Sequence, residues 1–343
     1  MSCRLALQTL ISNTNQYQMT DYNSMKRTIV LTLVACALAL AGTARAEQSG
    51  AGHYISGMFS DFSTTLPSAE GWSFLNFALC YDNARAGGER GLPFGGRIAA
   101  DIKVQMYNET PAVLYAPPFQ ILSGQPSVGV ALPYNWVQVR ALGEIATRLG
   151  DRSPGRTDWA SGFGDMILLP FNLGWTNGDF KYGMAPLIFA PTGEYNQDQL
   201  ANVGLGYWTF TPMVTFSWLS SKIGTEFSIF TGVDFNTKNT DADYQSGDIF
   251  HVDATLAQHL PLAGGFAGVG ATAFYLKQFT GDSGGGATLG AFEVESYGVG
   301  PTVSYARKFG ATQAVLDVSW LPQLHAENTT KGNFIWVKVA LAF

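Results

Sequence analysis

The chain is poor in cysteine, poor in charge and, beyond its N-terminal region, without any long apolar run. Of the three cysteines only Cys80 lies past residue 46, so residues 47–343 cannot form an internal disulfide. This excludes a cysteine-stapled exported scaffold. Charged residues make up 13% of the chain, about half the usual quarter. The net charge of −6 speaks against nucleic acid as a partner, because that requires a basic footprint. No stretch reaches the roughly eighteen consecutive apolar residues of a membrane helix. There is no H-E-x-x-H, no phosphate loop and no spacing of a dedicated calcium loop, and the four histidines are scattered. The sequence therefore calls for no metal and no cofactor. No repeat of about 20 to 50 residues suggests a solenoid.

Glycine (39 residues) and aromatics (13%) are abundant instead, and the C-terminus shows what they serve. Ile335, Val337, Val339, Leu341 and Phe343 fall on one face of a strand, and Trp336, Lys338, Ala340 and Ala342 on the other. A chain that ends on an aromatic after such a strand fits an outer-membrane barrel, whose outward residues meet lipid. Phe343, Leu341 and Val339 would then be the assembly signal read by the barrel-assembly machinery.

The N-terminus reads as an export signal. Met25-Lys26-Arg27, the apolar run from Thr28 to Leu40 and Ala44-Arg45-Ala46 make a signal peptide over residues 25–46. The apolar run continues past Cys36, which argues against lipidation there. Residues 1–24 are polar and patternless, as expected upstream of a misplaced start codon. Residues 47–70 are glycine-rich and aperiodic, either a periplasmic lead-in, the plainer reading, or a plug within the lumen. Residues 71–343 form the barrel.

Strand candidates fall at 71–82, 96–106, 111–119, 126–140, 162–174, 179–190, 206–218, 224–236, 248–258, 264–279, 290–306, 312–321 and 333–343. Short and long connections alternate back from Phe343. External loops are expected at 322–332, 280–289, 237–247, 191–205, 141–161 and 83–95, with periplasmic turns between them. The alternation holds if 96–106 and 111–119 are one strand, which gives an all-β transmembrane antiparallel barrel of twelve strands, with fourteen as the alternative. Asn177-Gly178 supplies the chemistry of a type I′ hairpin. Trp175, Trp208, Trp218, Tyr207 and Trp320 lie near strand ends, as an aromatic belt requires, whereas Trp336 has lumen parity.

Alternation also assigns faces. On the rule that polar residues point inward, the lumen should be lined by Asp101, Lys103, Gln105, Glu226, Ser228, Asp234, His251, Asp253, Tyr275, Lys277, Asp317 and Lys338. Glu293 and Glu295 share parity with Val299 and Val303, so a parity switch at a bulge is expected near Gly298 and Gly300. Twelve strands leave a narrow passage whose mixed lining suits a small, weakly polar solute. His251 and Asp253 with Ser228 invite a hydrolase reading, but residues two apart on a strand are about 7 Å apart, too far for a direct His–Asp bond. Asp241 and Asp243 could hold a cation bridging lipopolysaccharide, although a solvated loop explains them as well. Outer-membrane lipids and lipopolysaccharide are the surroundings such a barrel implies.

Gly162-Phe-Gly-Asp165, Ala190-Pro-Thr-Gly-Glu-Tyr195, Ala201-Asn-Val-Gly204, Tyr207-Trp-Thr-Phe-Thr-Pro212, Phe235-Asn-Thr-Lys-Asn239-Thr, Tyr244-Gln-Ser-Gly-Asp248 and Val299-Gly-Pro301 together resemble the outer-membrane proteins of the meta-pathway of phenol degradation. The likeness covers essentially residues 47–343, with Glu194 where the family pattern has aspartate. It implies a barrel that helps small hydrophobic or aromatic compounds cross the outer membrane, and carries over no catalytic residue. The alternatives are an outer-membrane hydrolase and a structural or adhesive barrel.

Overall fold

The computed structural model describes residues 52–64, 70–86, 92–94, 97–100, 102–145, 152–287 and 293–343. The signal-peptide reading, residues 1–24 and Asp101 lie outside the described residues. The strands are β1 (Gly71–Ala86), β2 (Leu92–Phe94), β3 (Arg97–Ala100), β4 (Lys103–Ala116), β5 (Gln125–Ala131) and β6 (Tyr134–Ile145). Next come β7 (Arg152–Phe163), β8 (Met166–Asn177), β9 (Phe180–Ala190), β10 (Thr209–Leu219), β11 (Thr225–Asn236) and β12 (Lys238–Asn239). The last are β13 (Tyr244–Gln245), β14 (Ile249–Leu262), β15 (Gly265–Gln278), β16 (Glu295–Phe309), β17 (Thr312–Glu327) and β18 (Thr330–Ala342).

Neighbours in sequence pair antiparallel around a ring that closes where β1 meets β18, in a register that sets Ala78 opposite Val337 and Leu79 opposite Trp336. Closure satisfies every edge, the condition for a sheet in hydrocarbon. The ring has twelve staves, because β5 and β6 form one stave broken at Leu132-Pro133, and β8 and β7 another broken at Gly164-Asp165. β2 and β3 extend one rim beyond β4, and β12 and β13 form a small hairpin within a loop. Residues 103–106 and 111–116 belong to one stave, as loop counting required: β4 runs unbroken through Tyr107 to Pro111.

The staves are longer than expected and the loops correspondingly shorter. β1 and β17 have 16 residues each, against the roughly 9–11 needed to span hydrocarbon. The expected loop 322–332 is strand, with a tight turn at Asn328-Thr329 where Asn328 adopts φ +58°. Within the expected loop 141–161, residues 141–145 and 152–161 are strand, paired between β6 and β7. At Asn177-Gly178 the two turn residues are Gly178 and Asp179, and only Gly178 has positive φ (+59°). That is the signature of II′ rather than I′. The parity switch expected near Gly298 is absent. β16 alternates without interruption, and the extra residue is Leu324 on β17, skipped between the pairs Tyr297–His325 and Gly298–Gln323.

Short turns and the C-terminus share one end, which is periplasmic by the usual construction of such barrels. Outward side chains form an apolar band, with Val113, Val130, Val214, Leu256, Val269, Val303, Leu316 and Val337 all exposed. Aromatics cluster at its two rims. Trp72 packs on Tyr115 and Trp175 on Tyr182 below, while Tyr107, Trp136, Trp159 and Trp320 stand exposed above. Tyr207 is the exception to the belt reading, being buried inside. The chain is thus a bacterial outer-membrane β-barrel.

Candidate functional site: a plugged lumen beneath an apolar chamber

Residues 52–64 lie inside the barrel, and Tyr54, Met58, Ser60 and Asp61 are buried. The segment is tied from end to end. Low in the lumen, Phe62 N donates to Glu226 Oε1 (2.8 Å), and Lys338 Nζ reaches Ser60 Oγ (2.7 Å) and Asp61 Oδ2 (3.1 Å). At mid-height Trp336 Nε1 donates to Ser56 O (3.0 Å), and Asp253 Oδ2 accepts from both Tyr54 Oη (2.5 Å) and Gly57 N (2.9 Å). Tyr54 also stacks on His251 with ring centroids 3.6 Å apart. Higher up, His53 bridges Thr209 Oγ1 (2.7 Å) and Asp165 Oδ2 (2.9 Å).

Gly57 explains why this glycine-rich stretch fits. Its φ is +85°, and a Cβ there would stand 2.4 Å from Leu321 Cδ1 and 2.9 Å from Trp336 Nε1. No other residue accommodates both constraints. Burial together with the Asp253 carboxylate holds the Tyr54 phenol well above its ordinary 10, so it remains a hydrogen-bond donor at any physiological pH.

Alternation places Glu226, Ser228, Asp234, His251, Asp253, Asp317 and Lys338 inside, all buried. Around the plug they form several separate polar clusters. Glu226 accepts from Ser228 Oγ (2.6 Å) and faces His259 Nε2 (2.7 Å). Asp317 accepts from Thr302 Oγ1 (2.8 Å) and lies 3.8 Å from Lys338 Nζ, and Thr211 Oγ1 donates to Asp234 (2.5 Å). The same geometry separates the proposed hydrolase residues. Ser228 is committed to Glu226 and Ser217, while His251 lies under Tyr54, 3.5 Å from Asp234. Among the described residues no hydrogen bond joins Ser228 to His251.

Lys103, Gln105, Tyr275 and Lys277 correct the face assignment. Lys103 and Gln105 share the outer face with exposed Tyr107, and Tyr275 and Lys277 point outward to Glu295, with Lys277 Nζ 2.8 Å from its carboxylate. These residues sit high on their staves, above the hydrocarbon, where the outer surface meets headgroups and water. There the rule that polar means inward no longer applies. Their inward neighbours are apolar instead: Val104, Met106 and Leu276 join Leu79, Val294 and Phe334 around a cavity of about 270 Å³ above the plug. Tyr81 stacks on Phe334 at 4.6 Å in its wall, and Asn108, Asn135, Gln323 and Thr330 are among the polar groups of its lining, with Asp165 and Asn202. The loop 191–208 folds over this chamber, with Leu200 and Val203 buried and Asn135 Nδ2 donating to Val203 O (2.9 Å).

One motif escapes the alternation argument. Gly281-Asp282-Ser283-Gly284-Gly285 spells G-x-S-x-G, which as a nucleophile elbow requires a strand-to-helix turn. Here it occupies an external loop. Ser283 exchanges backbone hydrogen bonds with Gln245, Asp282 accepts from Tyr244 Oη (2.6 Å), and among the described residues no helix follows. Burial raises the Asp282 carboxyl from the ordinary 3.8 to about 7, although its bonds from Tyr244 and Gln278 oppose the shift.

The family described as "Putative MetA-pathway of phenol degradation" matches residues 87–339. Among solved structures, the COG4313 outer membrane channel from Pseudomonas putida F1 aligns over 85% of this chain and 100% of that one, at 14% identity and a TM-score of 0.61. The β domain of the Bordetella autotransporter BrkA (80% and 100% covered, 10% identity, TM-score 0.42) and a Pseudomonas aeruginosa FadL homologue (79% and 87%, 8%, 0.36) are more distant. No match is found among curated proteins.

Proposed function

The chain belongs to the phenol-degradation family of that description, and from this premise we propose that it is a passive channel for small hydrophobic or aromatic compounds. The observation that carries the reading is the largely apolar chamber itself, set toward the external end of the lumen. An apolar solute leaving water gains roughly 25 cal/mol per Å² of its buried surface, so such a chamber concentrates it at the mouth. The aromatic pair Tyr81–Phe334 offers ring faces, and Asn108, Asn135 and Gln323 offer partners for one hydroxyl or carbonyl. Onward passage requires displacement of residues 52–64. The FadL homologue and the COG4313 channel fit this reading by their names alone.

The outward side chains of β18, ending in Phe343, Leu341 and Val339, are proposed as the signal by which the barrel-assembly machinery receives the chain.

The test is flux into liposomes containing purified protein, comparing monocyclic aromatics with sugars of similar size. Aromatics should enter faster than into empty liposomes and sugars should not. Equal rates for both classes, or no gain for either, would remove the proposal.

A further inference from the structure

A line of four cations crosses four adjacent staves on the outer surface of the barrel, near its external rim. Lys331 of β18 lies directly opposite Arg85 of β1, Arg85 opposite Lys103 of β4, and Lys103 opposite Arg140 of β6. All four side chains are exposed. Residues directly opposite on neighbouring strands have Cβ atoms only about 5 Å apart, and like charges so placed repel. The row therefore favours an anion beside it.

Three other cations of the external end have their anion within the chain. Lys277 pairs with Glu295 at 2.8 Å, Lys238 with Asp243 and Arg156 with Asp158. Among the described residues no carboxylate forms an ion pair with Lys331, Arg85, Lys103 or Arg140; Lys331 Nζ reaches only the carbonyl of Leu324 (2.6 Å). Instead, Arg85, Lys103 and Arg140 line a cleft of about 260 Å³ together with Asp82, Gln105, Gln138 and Thr157, where the Asp82 carboxylate accepts from Gln105 Nε2 (2.9 Å). Two guanidinium forks and an ammonium against one carboxylate leave the lining net positive and rich in donors, as phosphate oxygens require.

The height of the row identifies the source of the phosphate. Tyr107 and Trp136 face each other on the outer surface of β4 and β6, and Trp159 faces Gln138 one outward position higher. The next outward position beyond carries Arg140 opposite Thr157, roughly 7 Å along the strand from Trp159. A basic line immediately above an aromatic belt lies at the level of lipid headgroups. At the external end of an outer-membrane barrel, those headgroups belong to lipopolysaccharide. We propose that Arg85, Lys103 and Arg140, extended by Lys331, form a binding site for the phosphate groups of one lipopolysaccharide molecule held against the β18–β1–β4–β6 wall.

Purified wild-type protein in detergent micelles tests this with three probes: labelled phosphorylated lipid A, the same lipid enzymatically dephosphorylated, and inorganic phosphate as competitor. Phosphorylated lipid A should bind about tenfold or more tighter than the dephosphorylated form at low salt, and inorganic phosphate at the same concentration should not displace it. The triple variant R85Q/K103Q/R140Q should lose that preference while still migrating as a heat-modifiable barrel. K308Q, at the opposite end, should keep it. Equal binding of the two lipids by the wild type overturns the proposal whether or not the triple variant folds. So does an unchanged preference in a folded triple variant. Displacement by inorganic phosphate as effective as by the lipid would mark a soluble-anion site and overturn it too.

Discussion

Two regions of the lumen differ in what they hold. Around the plug, Glu226, Asp253, Asp317 and Lys338 are buried and bound to it or to one another, beside an apolar wall that includes Leu75, Phe77, Leu114 and Leu169; nearer the exterior, Leu79, Val104, Met106, Leu276 and Phe334 surround a largely apolar cavity. The outer surface changes with height as well. Val113, Val269 and Val303 are exposed on its lower and middle parts, while its upper rim carries Lys103, Gln105, Lys277 and Glu295. What decides the outward residue at a given height is the medium beside the wall, lipid below and water with headgroups above.

Substitutions can break that contrast from either region, and the plug region should respond most. Lys338 is the cation between Asp61 and Asp317, so Lys338→Met leaves two buried carboxylates uncompensated. Breaking a buried pair in this way costs about 3–5 kcal/mol. Thermal unfolding in detergent, followed by the shift of the heat-modifiable band, should show a clearly lower midpoint, and an unchanged midpoint would mean that the plug is held mainly by other bonds. In the chamber the effect should be on flux rather than on folding. Met106→Asp places a charge in the chamber wall and should lower aromatic flux about tenfold, in proportion to the lost favourable burial. Gln105→Asp, one residue away on the outer face, should leave flux unchanged, and equal losses in both variants would contradict the assignment of faces.

The smallest effect concerns the external loops. Asp282 has its carboxyl raised from 3.8 to about 7 by burial, so the folded loop binds a proton more tightly than the unfolded one. The stabilisation this proton confers is complete below about pH 4 and is lost as pH rises through about 7. Protease cleavage of residues 279–287 should accordingly be faster at pH 8 than at pH 5, and Asp282→Asn should flatten the difference.

The ring of twelve staves was legible because hydrocarbon imposes alternation on every stave and because turn and loop lengths alternate. The seven buried polar residues Glu226, Ser228, Asp234, His251, Asp253, Asp317 and Lys338 follow from the same rule. The chamber did not, since Val104, Met106 and Leu276 carry the pattern that means lipid lower down. Nor did the plug. A glycine-rich strip without periodicity fits a lead-in as well as a lumen, and only Gly57 against Leu321 and Trp336 distinguishes them. Stave ends were missed where polar loop-like sequence, as at 322–332, continues as strand above the membrane.

The plug precedes the first stave in the chain, yet two of its anchors, Trp336 and Lys338, stand on the last. These two bonds cannot form until the last strand is in place, and once the seam between Gly71–Ala86 and Thr330–Ala342 has zipped shut, an enclosed wall surrounds the plug. Completing the hold on the leading segment and sealing the cylinder consequently depend on the same event, the arrival of the final strand.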